Sequence, residues 1–400
     1  MDAIYLDNNA TTRVDPLVVE AMLPYFTEQF GNPSSMHVFG EGVGRRVREA
    51  RGQVQVLLGA EFDHEIVFTS CGTESDNAAI LSAVETQPER REIITSAVEH
   101  PAVLSVCRHL ERREGYRLHV IPVDRKGRLD IEAFAAALSP RVAVASIMWA
   151  NNETGTLFPV EQLARLAKAF GILFHSDAVQ AVGKVPMRLK DSVIDMVSLS
   201  GHKLHGPKGT GVLYVRRGTR FRPLLRGGHQ ERERRAGTEN TAGIIGLGKA
   251  CELAMIHLAD ENLRVRALRD RLERGILDRV GNCFVTGDPA NRLPNTSNIA
   301  FEYIEGEAIL LHLNRDGIAA SSGSACTSGS LEPSHVMRAM DIPFTAAHGS
   351  IRFSLSRDNT EDEIDRVLAV LPPIVDRLRR VSPYWSVDAP AKAAFQPDYA

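Results

Sequence analysis

No two cysteines in this chain stand in a C-x-x-C pair. The five, Cys71, Cys107, Cys251, Cys283 and Cys326, are odd in number and widely spread. That argues against a disulfide framework or a zinc site and fits a reducing cytoplasm. An excess of one charge is also missing: 47 Lys and Arg nearly balance 50 Asp and Glu, so no global field recruits nucleic acid or an anionic membrane. No apolar run approaches the ~20 residues of a membrane helix. The opening MDAIYLDNNATTRVDP has neither the basic nor the apolar region of a signal peptide. The histidines form no i, i+4 pair, so no intrinsic metal is expected. FGEGVG and GIIGLG do not match a dinucleotide fingerprint, and GHKLHGPKG is not a P-loop. Ser324 and Ser328 lack a nucleophile elbow, which disfavours a hydrolase. HQERERRAGTEN (229–240) interleaves Glu with Arg and reads as a solvated loop rather than a nucleic-acid patch.

What is present is an ordinary globular composition, 44% hydrophobic and 24% charged, over a length suited to two or three domains. Asp15 followed by Pro16 starts a helix over 15–26. Val43, Val47, Ala50, Val54, Leu57 and Leu58 follow a 3.6-residue period and give another helix one apolar face. Then EIVFTSCGT, REIITSAVEH, RVAVASIMWANN, GILFHSDA and DMVSLSGHK each read as an apolar strand ending in polar residues. That alternation predicts an α/β fold with a mainly parallel, doubly wound sheet and a ligand site beyond the strands' carboxyl ends. After about residue 260 the pattern becomes α+β, with strands near SNIAF and SIRFSLS and a capping box at Thr360 and Glu363. The expected organisation is a large domain over 15–260, a smaller one from 1–14 and 261–380, and a tail over 381–400.

The strand ends carry the candidate chemistry. Lys203, in SLSGHKLHGPKG, sits where desolvation favours a neutral nucleophilic amine, or it is a turn lysine. Asp177, in FHSDAVQA, either caps a helix or faces a cation such as a protonated pyridine nitrogen. Gln180 is a donor to a ring oxygen or simply solvated. Gly72 and Thr73 open a helix whose free N–H groups suit a phosphate, or Thr73 is an ordinary N-cap. His100, before Pro101, stacks on a flat cofactor or is structural; Asn152 bonds a ligand or forms a turn. Ile351, Phe353 and Leu355 alternate with Arg352, Ser354 and Ser356, so Arg352 binds a carboxylate or makes a surface ion pair. Cys326 lies in SSGSACTSGS (321–330), a run that cannot anchor a core.

Together these parts resemble a pyridoxal-phosphate enzyme. LDNNATT, FGNPSS, SGHKLHGPKG, RAGTENTAG and SSGSACTSGS are similar to the class V, fold-type-I cysteine desulfurases, over the chain up to about residue 380. The resemblance implies that Lys203 holds the cofactor covalently, Asp177 faces its nitrogen, His100 stacks on it, and Asn152 and Gln180 lie near its hydroxyl. It implies that Gly72, Thr73, Ser200 and His202 hold the phosphate and that Thr238 reaches the partner subunit's phosphate in a homodimer. It also implies that Arg352, with Asn152, binds the carboxylate of L-cysteine. Cys326 would attack the substrate sulfur, leaving alanine and a persulfide, and could touch an iron–sulfur cluster while passing sulfur to a scaffold protein. TSCGTES, NNETGT and the long C-terminus look like the nitrogen-fixation (NifS) branch. A selenocysteine lyase and a non-catalytic sulfur-carrier scaffold are the competing readings.

Overall fold

The computed structural model describes residues 3–322, 333–383 and 385. Its first strand, β1 (Ile4–Tyr5), precedes two short helices, α1 (Pro16–Met22) and α2 (Pro24–Thr27). The Asp15 carboxylate caps α1 by accepting from Leu17 N–H. The single helix expected over 15–26 is broken because Pro24 has no N–H to continue the ladder. Next, α3 (Val38–Leu58) buries the whole apolar stripe from Val43 to Leu58.

Seven strands then build the central sheet: β2 (Ile66–Thr69), β3 (Glu92–Ser96), β4 (Arg117–Ile121), β5 (Val142–Ser146), β6 (Leu173–Asp177), β7 (Met196–Ser200) and β8 (Gly211–Val215). Their order is β2-β8-β7-β6-β5-β3-β4, and β8 runs antiparallel to both its neighbours. The neighbours from β4 through β7 are parallel. Five of the strands are the apolar runs seen in the sequence. They are buried on both faces because the helices between them cover the sheet. The edge strand β4 is half polar and gave no such run. Two covering helices matter below, α4 (Gly72–Glu85) after β2 and α5 (Pro101–Glu114) after β3.

The helix Thr241–Asp260 packs along α3 so closely that a Cβ at Gly248 would stand 2.6 Å from Ala50 Cα. It runs on through a π-helical turn, Glu261–Val265, into Arg266–Arg279. The pattern change near residue 260 therefore falls inside a continuous helix. By length and composition this helix could cross a membrane, contrary to the reading of the sequence, yet more than half of its apolar window is buried in the protein.

Beyond it, β9 (Cys283–Thr286) and β10 (Thr296–Phe301) pair antiparallel, β11 (Ile318–Ala319) pairs parallel with β1, and β12 (Ser350–Ser354) pairs antiparallel with β10. Ile4 and Leu6 pack with Ile299, Phe301, Ile351 and Phe353 in a second core. The final helix, Glu361–Val381, begins on the Thr360–Glu363 capping box.

The segment 229–240 is not simply solvated. Glu231 is buried, accepts from both terminal nitrogens of Arg51 at 2.8 and 2.6 Å, and accepts from Phe68 N–H at 2.9 Å. The alternating charges concealed one buried ion pair.

Candidate active site

The carboxyl ends of β2, β3, β5, β6 and β7 open on one cavity of about 320 Å³. Gly72, Thr73, His100, Asn152, Asp177, Gln180, Ser200, His202, Lys203 and Arg352 all line it. Thr238 is exposed and outside it. Cys326 lies outside the described residues.

Lys203 sits in the 3-10 turn that ends β7. Its amine donates to the carbonyls of Asn9 and Ala10 at 2.6 and 2.8 Å. Burial pushes that amine down to about 7, helped by Arg352 and Lys184 and opposed by Asp177. The neutral form is thus accessible near neutrality, where an ordinary lysine is charged.

Asp177 ends β6 and is buried, with one carboxylate oxygen accepting from Val179 N–H at 2.9 Å. Burial raises its pKa, while that bond, His100 and Lys203 oppose the rise. Two residues back on the same strand face, His175 lies between the hydroxyls of Ser146 and Ser198 at 2.8 and 2.9 Å. Burial pushes its imidazole down to about 3, so it is neutral.

His100 does not end a strand, as the sequence suggested. It is the N-cap of α5, and its Nδ1 accepts from Ala102 N–H at 3.1 Å. Burial lowers its pKa. Thr73 does not cap α4 either. That helix starts at Gly72, and its N-cap, Cys71, makes no side-chain cap bond. The first-turn amides are left for an anion. A Cβ at Gly72 would stand 2.7 Å from Val179 Cγ2, so a side chain here would have to displace Val179. His202 contacts Thr11 Oγ1 at 3.1 Å, and burial pushes it down to about 4.

Arg352 reaches the cavity from β12. Its terminal nitrogens donate to Asn152 O at 2.9 Å and to Asp7 at 2.7 Å. Four buried polar atoms on this wall have no hydrogen-bond partner among the described residues: Ser200 Oγ, Gln180 Oε1, Asp76 Oδ1 and Arg352 Nε. Buried polar groups without partners are costly, and these converge on one space that a polar ligand can fill.

Several contributors carried no role in the sequence. Asn9 gives its carbonyl to Lys203 and to Gln180 Nε2, and its side-chain amide donates to Thr296 Oγ1. The LDNNATT stretch was the available signal. Asp76, Glu153 and His335 also line the cavity, and Glu99 lies behind it. Burial pushes Glu99 up to about 8. Among the described residues no cluster of three His, Cys, Asp or Glu suits a metal.

A family profile described as Aminotransferase class-V matches residues 4–367. A relative named "Cysteine desulfurase" from Gluconacetobacter diazotrophicus is 70% identical over 400 residues, covering all of both chains. One named "Cysteine desulfurase NifS" from Azotobacter vinelandii is 69% identical over 402 residues, again covering all of both. A solved structure titled "NIFS-LIKE PROTEIN" superposes with a TM-score of 0.88 at 37% identity, covering 94% of this chain and 100% of that one.

Proposed function

This chain belongs to the class-V aminotransferase family, and from that premise we propose how its cavity works as the site of a cysteine desulfurase. The enzyme converts L-cysteine to L-alanine and delivers the sulfur, through a persulfide on one of its own cysteines, to iron–sulfur cluster assembly. The observation that carries the reading of the site is the convergence of a near-neutral lysine amine, a buried carboxylate and unpartnered phosphate-type donors on one cavity.

The residues fit pyridoxal phosphate. The Asp177 carboxylate, costly to bury alone, matches a protonated pyridine nitrogen. Ser200 Oγ, Gly72 and Thr73 N–H, and His202 match the phosphate, and Gln180 and Asn152 match the ring hydroxyl. When bound, this cofactor supplies an electron sink that weakens the Cα–H bond of the amino acid joined to it. The chain does the rest. Lys203 would hold the cofactor and, when freed by substrate, would accept the Cα proton at Nζ. Arg352 orients the substrate carboxylate, with Nε free of hydrogen-bond partners among the described residues. His100, on the cavity wall, would hold the cofactor's ring. The nucleophile toward the substrate sulfur is Cys326.

The working form is a homodimer. Thr238 does not line its own cavity, and a second copy would bring it to the phosphate. Leu23, Phe26, Phe30, Met36, Val38 and Phe39 leave an apolar surface uncovered in the single chain, as expected of an interface between copies. The sulfur acceptor is an iron–sulfur scaffold protein, the branch is the nitrogen-fixation one, and the compartment is the reducing cytoplasm. The deciding experiment measures alanine released from L-cysteine together with the colour of the purified protein. Wild type is yellow and releases alanine, whereas Lys203→Ala stays folded and releases none. Normal turnover in Lys203→Ala would remove Lys203 from the chemistry.

A further inference from the structure

Lys203 also lines a second, much smaller cavity of about 20 Å³, and so does another buried lysine. Lys184, in the turns after β6, is only 6% exposed. Its amine makes one hydrogen bond among the described residues, donated to Gln180 O at 3.2 Å. Gln180 Nε2 donates in turn to Asn9 O at 2.9 Å, and that same carbonyl accepts from Lys203 Nζ at 2.6 Å. One glutamine therefore ties both amines to a single frame.

A buried ammonium without an ion pair is costly, and Lys184 makes no ion pair among the described residues. Burial pushes it down to about 8, opposed by Glu261 in the π-helical turn, so it is still charged at neutral pH. Glu261 is itself buried, and its Oε2 has no hydrogen-bond partner among the described residues. His257 and Arg357 line the same small cavity, and His205 feels the charge of Lys184. On its other side Lys203 faces Asp7, Asp177 on β6 and Arg352 on β12, with His100 and His202 beside it.

We propose that Lys184 is a positioning residue for the reaction: its buried positive charge holds the Lys203 amine in the neutral form that can accept a proton. This inference rests on the reading of Lys203 as the group that holds the cofactor and takes the Cα proton. Two like charges close together in a poorly solvated site each disfavour the other. Arg352 acts on Lys203 in the same direction, but a substrate carboxylate bound to Arg352 cancels its field. Lys184 lines the small cavity and not the large one, so it meets no substrate. Its charge persists at the moment the freed Lys203 amine must act as a base. The cost of burying Lys184 is offset by nothing in the packing around it; its effect is on Lys203.

The test follows two readouts against pH. One is the rate at which acetic anhydride labels Lys203 in the whole chain freed of cofactor, read by mass spectrometry of its peptide. The other is kcat for alanine release from L-cysteine by the holoenzyme. In wild type the labelling midpoint is expected near pH 7. Lys184→Gln keeps a donor for Gln180 O and removes the charge, whereas Lys184→Met removes both. We expect both variants to raise the labelling midpoint by about one pH unit. The acidic limb of kcat should move the same way, slowing turnover on that limb by roughly tenfold. An unmoved midpoint in both variants overturns the proposal, and normal alanine release beside it leaves the desulfurase reading intact. A midpoint that moves in Lys184→Met and not in Lys184→Gln also overturns it, because the hydrogen bond to Gln180 and not the charge would then be what matters. A wild type that makes no alanine, with a Lys203 midpoint that still depends on Lys184, overturns the desulfurase reading and leaves the control of the amine standing.

Discussion

Asp7 and Arg352 are 345 residues apart in the chain, yet the carboxylate of one accepts from the guanidinium of the other at 2.7 Å. With Asn152 O on the second terminal nitrogen, Arg352 is held in place on the cavity wall. A lysine cannot span both partners and still face a substrate carboxylate, because it lacks the planar fork. Arg352→Lys should therefore lower kcat/KM for L-cysteine by about 100-fold, mostly through KM, in steady-state alanine assays. A loss confined to kcat would place Arg352 in the chemistry rather than in binding.

The Lys203 amine titrates near 7 when folded, against an ordinary value of 10.5. Between those values the unfolded chain binds more protons than the folded one, so stability rises with pH across that window. The cost is fully present below about pH 7 and gone above about pH 10.5. Lys203→Met should thus stabilise the cofactor-free protein near pH 6.5 by roughly 2–3 kcal/mol, after allowing ~1 kcal/mol for each lost carbonyl bond. Urea denaturation at the two ends of the window checks this. A gain that persists at high pH would mean that the lysine amine is not the source.

Only one of the five thiols is expected to carry sulfur. Burial pushes Cys107 and Cys251 up to about 12, so neither supplies a thiolate near neutrality. Cys251→Ala should cost about 1–2 kcal/mol of stability through the small void it leaves and keep turnover. Cys326→Ala should abolish alanine release from L-cysteine with stability unchanged. Comparable alanine from Cys326→Ala and wild type would move selenocysteine to the front as substrate.

Arg51 and Glu231 are both buried and joined twice. Removing one charge of such a pair strands the other, at about 3–5 kcal/mol. Glu231→Gln should lower the thermal midpoint by several degrees. Removing both charges, in Arg51→Met with Glu231→Leu, should recover most of the loss. A single variant as stable as wild type would mean that water reaches the pair.

The parts of this structure legible in the sequence are those with a local signature. Five buried strands showed as apolar runs, α3 as a 3.6-residue stripe, and the last helix as a capping box. The cavity was legible because each strand ends in a residue that is expensive to bury, such as Asp177 or Lys203. What escaped depends on partners distant in the chain. Alternating charge around Glu231 looks solvated until Arg51 is beside it. The strand β4 is largely exposed, so its residues are half polar and make no apolar run. His335 gave no signal because only the fold brings its ring to the Glu99 carbonyl on the cavity wall. The change of composition near residue 260 falls within the helix from Thr241 to Arg279, whose backbone runs through it.

The pairing of β1 with β11, and of Asp7 with Arg352, has a consequence for biosynthesis. The segment that supplies the two carbonyls on Lys203 leaves the ribosome first, and the strands that hold that segment in place leave nearly last. At about 5–20 residues per second, the opening stretch waits on the order of half a minute for its partners. A nascent chain can complete the central sheet in that time while its lysine is still unsupported. The protein therefore gains its chemistry only at the end of synthesis, since a chain that stops before β12 lacks Arg352 on the cavity wall.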